Sequence, residues 1–141
     1  MSKILVVEDE KSLRLLYRMD LEQEGYEVVT VGLASEGVRA FETESPDLVV
    51  LDIRMPGMDG LEAMGRMLAK NPGIPIVLNT GYSSYKESFL SWAADAYVIK
   101  SSDTSELRTR IRGLLEGRQA RVQRETETRR ETSSTQLQHV I

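Results

Sequence analysis

Residues 48–57 read Leu48-Val49-Val50-Leu51-Asp52-Ile53-Arg54-Met55-Pro56-Gly57. Four apolar residues in a row, without alternation, match a strand covered on both faces, as in a parallel sheet flanked by helices. An aspartate closes the run, and the proline and glycine beyond it make a loop rather than a helix start. The chain opens in the same way, with Ile4-Leu5-Val6-Val7 running into Glu8-Asp9-Glu10. Further β-rich runs lie at 27–31, 76–79 and 96–99. Amphipathic stretches near 11–24, 35–44, 60–70, 83–92 and 104–116 fall between or after them. In the first, Leu13, Leu16, Tyr17 and Leu21 recur at helical spacing and Gly25 supplies a stop. Ser35 is placed to cap the second, and Pro46 breaks the chain before the strand at 48–51.

Five such βα units predict a doubly wound α/β domain. The expected sheet is five-stranded and parallel with right-handed crossovers, in the flavodoxin-like strand order 2-1-3-4-5. The units differ in length and share no consensus, so they are not a solenoid repeat.

Bulk composition narrows the function classes. The 141 residues are 40% hydrophobic and 28% charged, an ordinary globular balance. A formal net charge of −4 gives no support for direct DNA binding. With no cysteine, disulfides, thiolate metal sites and cysteine nucleophiles are excluded. No apolar run approaches the roughly 20 residues of a membrane span, and no signal-peptide pattern precedes the first strand. A soluble, cytoplasmic protein with no membrane contact is the expectation.

In an open α/β sheet, ligands bind beyond the carboxyl ends of the strands where the winding reverses. For order 2-1-3-4-5 that crevice lies between the first and third strands, after which come Glu8, Asp9, Glu10 and Asp52. Carboxylates that close raise one another's pKa unless a cation compensates, and a hard, oxygen-seeking divalent ion such as Mg²⁺ does so. Acids after strands also cap helices, and capping alone is the alternative role for Asp9 or Glu10. Asp52 is followed by a loop and has no such alternative. Thr80 ends the fourth strand, and Gly81 lets a backbone N–H approach a ligand. Lys100 ends the fifth strand, where it either serves the site or forms a structural ion pair with Asp52. A carboxylate nucleophile, a metal pair, a hydroxyl and a lysine together suit phosphoryl transfer.

At these residues the sequence resembles the receiver domain of bacterial two-component response regulators, over about residues 2–117. The acidic pair Glu8-Asp9, the acceptor Asp52, Thr80 and Lys100 match the family pattern. So do Met55-Pro56-Gly57-Met58-Asp59-Gly60 after the acceptor and Ala94-Asp95-Ala96-Tyr97 before the lysine. The resemblance implies that Asp52 takes a phosphoryl group from a sensor histidine kinase or a phosphotransfer protein. It implies that Asp9, Asp52 and the backbone carbonyl of Arg54 hold Mg²⁺ (Mn²⁺ as substitute), with Glu8 reaching it directly or through water. Thr80, the Gly81 N–H and Lys100 would bind the phosphoryl group. Thr80 and Tyr97 would switch the face formed by the predicted helix at 83–92, the strand at 96–99 and the predicted helix at 104–116. That face would meet a downstream protein target or a second copy of the chain. The protein would act as a signalling phosphoacceptor, not an enzyme on other substrates.

Two departures stand out. Ser101 follows Lys100 where the family carries a proline in a cis peptide, and Glu8-Asp9 replaces the commoner Asp-Asp. Arg54 and Tyr82 occupy positions that influence phosphoryl lifetime, and their bulk predicts slow hydrolysis. A phosphatase of the haloacid dehalogenase type would want a second acid where Arg54 stands. A nucleotide-binding domain would want a glycine-rich loop after the first strand. The alternative within the family is a phosphorylation-independent protein-interaction module.

Beyond Leu115 the composition changes. Residues 116–141 hold five arginines and four acids and few apolar residues until Leu137. The expected division is a receiver domain at 1–117 and a charged tail at 118–141 without an output domain. Glu116–Glu131 has charges at helical spacing and prolongs the last helix, while 132–141 is expected to fray. His139 and Trp92 read as a solvated and a packing residue.

Overall fold

A computed structural model describes residues 1–53, 60–81 and 94–140. In chain order its elements are β1 (Lys3–Val7), α1 (Lys11–Gln23), β2 (Glu27–Val31), α2 (Ala34–Glu44), β3 (Leu48–Leu51), α3 (Gly60–Lys70), β4 (Ile76–Thr80), β5 (Ala96–Ile99) and α4 (Ser105–Val140). The five strands form one parallel sheet in the order β2-β1-β3-β4-β5, as the sequence predicts. The predicted helix at 83–92 lies outside the described residues.

Alternate residues of the central strands point to opposite faces, and both faces are covered. Leu5, Val7, Val49, Leu51, Ile76 and Leu78 pack with Phe41 of α2 and Ala63, Met64 and Met67 of α3. Ile4, Val6, Leu48, Val50, Val77 and Val98 pack with Tyr17 and Leu21 of α1 and Leu107, Ile111 and Leu115 of α4. Double-sided burial is why β1 and β3 read as unbroken apolar runs. Continued one residue past the strands, the alternation sends Glu8 and Asp52 toward the α1 and α4 side.

The helix ends differ in part from expectation. Gly25 has φ +95°, a left-handed conformation natural to glycine, and ends α1 where the sequence places a stop. Ser35 is not a cap: α2 begins at Ala34 after an extended Leu33, and no side chain caps it. The chain leaves α2 through a left-handed Ser45 at φ 47°, just before Pro46. The last helix runs to Val140, so residues 132–140, expected to fray, are helical. No glycine or proline follows Gly117 to stop it, and straight-chain charged residues sustain helix by local bonding. Leu115 is the last buried residue of α4 before residue 133, and 119–132 are all exposed. Where α4 lies on the domain, Arg108 and Arg112 pair with Glu24, the residue just past α1, and Arg118 donates to the Asp47 carbonyl. Among the described residues no helix is long and apolar enough to cross a membrane.

Candidate functional site

Backbone hydrogen bonds carry the sheet one residue beyond the strand ends and thereby fix the site. The Asp52 N–H donates to the Val7 carbonyl at 3.1 Å, Glu8 N–H to Val31 at 3.1 Å, and Lys100 N–H to Thr80 at 2.8 Å. Glu8, Asp52, Thr80 and Lys100 therefore stand side by side at the carboxyl edge of the sheet.

Lys100 Nζ lies 2.8 Å from Asp52 Oδ2 and 2.8 Å from Glu8 Oε2. It also donates to Glu8 Oε1 at 3.0 Å, and the Glu10 N–H donates to the same oxygen at 3.1 Å. Glu8 and Asp52 are buried, whereas Asp9 is exposed. One carboxylate oxygen from each of the three lies within 4.8 Å of the others. All three donors are hard oxygens, and the exposed Asp9 leaves a side open to water. Such a set fits a Mg²⁺-like cation, which keeps several waters and binds few carboxylates.

The electrostatics bear the mark of crowding. Burial pushes the Glu8 carboxyl up to about 7, against the lowering effect of hydrogen bonds from Lys100 and the Glu10 N–H. Burial alone would lower the Lys100 pKa, but its bonds to Asp52 and Glu8 outweigh that and hold the ammonium above its ordinary value. A second cation entering this cluster competes with Lys100 for both carboxylates.

Asp9 and Glu10 do not act as the caps they resemble in sequence. Glu10 precedes α1 in extended conformation, and no side chain caps that helix. Thr80 is fully buried, while Gly81 beside it is exposed, and among the described residues no atom lies near where its side chain would stand. Tyr97 is half-buried against the core on the α2 and α3 side, in register with Leu78. The Lys100–Ser101 peptide is trans, since no described peptide bond is cis, and the lysine still reaches both carboxylates. Arg54, Tyr82 and Trp92 lie outside the described residues.

Two features escape the sequence reading. Glu8 is as close a partner of Lys100 as Asp52 is, a pairing that extending the strand alternation past Val7 would have revealed. Gly60 is the second: a Cβ there would lie 2.0 Å from the Asp52 carbonyl oxygen and 2.7 Å from Ile53 Cα. Its N–H donates to the Ile53 carbonyl at 2.8 Å, so α3 begins in direct contact with the backbone at Asp52 and Ile53. The sequence signal was the glycine closing Met55-Pro56-Gly57-Met58-Asp59-Gly60.

Residues 4–112 match the family model described as the response regulator receiver domain. A probable transcriptional regulator, ycf27, from Cyanophora paradoxa is 42% identical over 115 residues, which is 80% of this chain and 48% of that protein. The chain spans about half the length of the curated relatives it matches. Response regulator protein TrrA from Thermotoga maritima, solved in complex with Mg²⁺–BeF, is 43% identical with a TM-score of 0.78, covering 81% of this chain and 99% of that one. TrrA solved in complex with histidine kinase ThkA aligns at a TM-score of 0.77 and 43% identity, over 82% of this chain and 99% of that one.

Proposed function

The chain belongs to the response regulator receiver domain family, and from that premise we propose that Asp52 accepts a phosphoryl group from a histidine kinase or phosphotransfer protein. An Asp52 carboxylate oxygen attacks the phosphorus of a phosphohistidine. The O–P bond forms as the P–N bond breaks, and the imidazole leaves with a proton from solvent. The observation carrying this reading is the convergence of Glu8, Asp9, Asp52 and Lys100 on one cluster from three strand ends.

Glu8, Asp9 and Asp52, with the Arg54 carbonyl, would hold Mg²⁺ or Mn²⁺. When bound, the ion neutralises charge on the phosphoryl oxygens. Lys100 already touches Asp52 and follows the negative charge as it passes from carboxylate to phosphoryl. Thr80 and the Gly81 N–H take the remaining oxygens, and the shift of Thr80 draws Tyr97 inward. The surface around β5 and the start of α4 changes as a result, and a protein target or a second copy of the chain reads it. The Mg²⁺–BeF and kinase complexes of TrrA support the cation and donor parts of the reading. A cytoplasmic setting belongs to the same proposal. The similarity to transcriptional regulators covers about half their length, and DNA binding is not proposed for these residues.

The test is incubation with a small phosphodonor and Mg²⁺, followed by intact mass measurement. A gain of one phosphoryl group that disappears in Asp52→Asn is expected. No adduct, or one that persists in Asp52→Asn, overturns the proposal.

A further inference from the structure

The phosphoacceptor reading assigns roles to the carboxylates and leaves open what holds their backbone. Arg14 stands on the first turn of α1, where its N–H donates to the Glu10 carbonyl at 3.0 Å. Its guanidinium turns back over the β1–α1 connection. A single nitrogen, Nη1, donates to the Glu8 carbonyl at 2.8 Å and to the Asp9 carbonyl at 2.9 Å. Among the described residues Arg14 makes no ion pair with the acidic cluster, so its charge holds the backbone and leaves the side chains to Lys100 and a cation.

The guanidinium occupies a slot left by a glycine. A Cβ on Gly32, just past β2, would lie 2.8 Å from Arg14 Nη1 and 3.4 Å from Cζ. Glu8 N–H in turn donates to Val31, the residue before Gly32. The β1–α1 and β2–α2 connections thus close on Arg14 from two sides. Two successive carbonyls drawn to one donor fix two successive peptide planes, and with them the directions in which Glu8 and Asp9 leave the backbone. They also aim both carbonyl dipoles at the guanidinium. Charge-assisted bonds to carbonyls are among the stronger hydrogen bonds in proteins.

We infer that Arg14, seated by Gly32, is a positioning residue for the divalent-cation site. It orients Glu8 and Asp9 through their carbonyls without touching the ion. The inference rests on the phosphoacceptor reading for the presence of that site. Residues that orient metal ligands typically contribute 10- to 100-fold to affinity.

The test is calorimetric titration of the full chain with Mg²⁺, with urea unfolding of each variant alongside. Arg14→Gln should bind Mg²⁺ about tenfold more weakly than the unaltered protein while its unfolding transition stays cooperative. Gly32→Ala, which keeps the arginine but fills its slot, should weaken Mg²⁺ binding similarly. The double variant should bind no more weakly than the worse single one, because both substitutions disable one device. If Arg14→Gln fails to fold, Gly32→Ala alone carries the comparison. Equal affinity in Gly32→Ala and the unaltered protein, or losses that add in the double variant, overturns the inference. Unaltered protein that binds no Mg²⁺ overturns it together with the cation reading. Failure of phosphoryl transfer to Asp52 with Mg²⁺ binding intact strikes the phosphoacceptor reading alone.

Discussion

Replacing Lys100 by methionine isolates the electrostatic core of the site. The ammonium lies 2.8 Å from both Asp52 and Glu8, whose side chains are 4% and 2% exposed. Removing one partner of a buried ion pair leaves uncompensated charge and costs about 3–5 kcal/mol. Glu8 escapes part of that penalty by taking up a proton, since its pKa is already about 7. The expected loss is therefore near the lower end, about 3 kcal/mol at mildly alkaline pH. For a chain of this size that is a fall of roughly 6–12 °C in Tm. The pH dependence has a definite sign. A carboxyl raised in the folded state contributes stability that is full below its unfolded pKa and is lost as pH rises through the folded value. In the unaltered protein the Glu8 contribution is thus lost between 4.5 and about 7. Without Lys100 the folded pKa rises further, so the variant goes on losing stability above that range. The gap between the two proteins should widen with rising pH and narrow toward acid. Mg²⁺ should stabilise Lys100→Met more than the unaltered protein, because no ammonium competes for the carboxylates. Urea unfolding followed by circular dichroism, across pH and with or without Mg²⁺, measures all three effects. A gap that is absent, independent of pH, or unaffected by Mg²⁺ would refute the reasoning.

Gly60→Ala puts a methyl 2.0 Å from the Asp52 carbonyl oxygen, so the backbone must shift. We expect about 3 kcal/mol less stability in urea and slower phosphoryl uptake by Asp52; unchanged values would show that α3 does not brace the acceptor. Truncation after Arg118 keeps its bond to Asp47 and removes a segment whose residues 119–132 are exposed. The urea midpoint should change by an amount equivalent to no more than about 0.5 kcal/mol, and loss of the fold would make the extension part of the domain. Arg108 and Arg112 hold the Glu24 carboxyl below its ordinary range through hydrogen bonds. The stability they add is present above the unfolded carboxylate pKa and is lost as pH falls through the lowered folded value. The difference between the unaltered protein and Glu24→Gln should therefore vanish in strong acid, and a difference that persists there would point to packing instead of charge.

The sheet was legible because double-sided burial writes itself as unbroken apolar runs, and because acids at the ends of two such runs mark the winding reversal. Glu8, Asp9, Asp52 and Lys100 were legible for the same reason: strand ends bring distant residues to one edge. Which carboxylate Lys100 selects was harder, since it depends on the strand alternation that buries Glu8 and leaves Asp9 in solvent. Ser35 has the side chain of a cap, but α2 starts one residue too early for it to serve. Where α4 stops is not legible in the sequence, because residues 119–132 are exposed and present no buried apolar face whose end would mark it. Gly60 was visible as a letter in a motif, while its reason, contact with the Asp52 carbonyl, belongs to three dimensions.

The most direct test of the central claim is to locate the phosphoryl group. After incubation with phosphodonor and Mg²⁺, borohydride reduction converts an aspartyl phosphate to homoserine, and peptide mapping identifies the altered residue. The account predicts conversion at Asp52, dependent on Mg²⁺. Conversion at another residue, or none in protein that is folded and binds Mg²⁺, would contradict it.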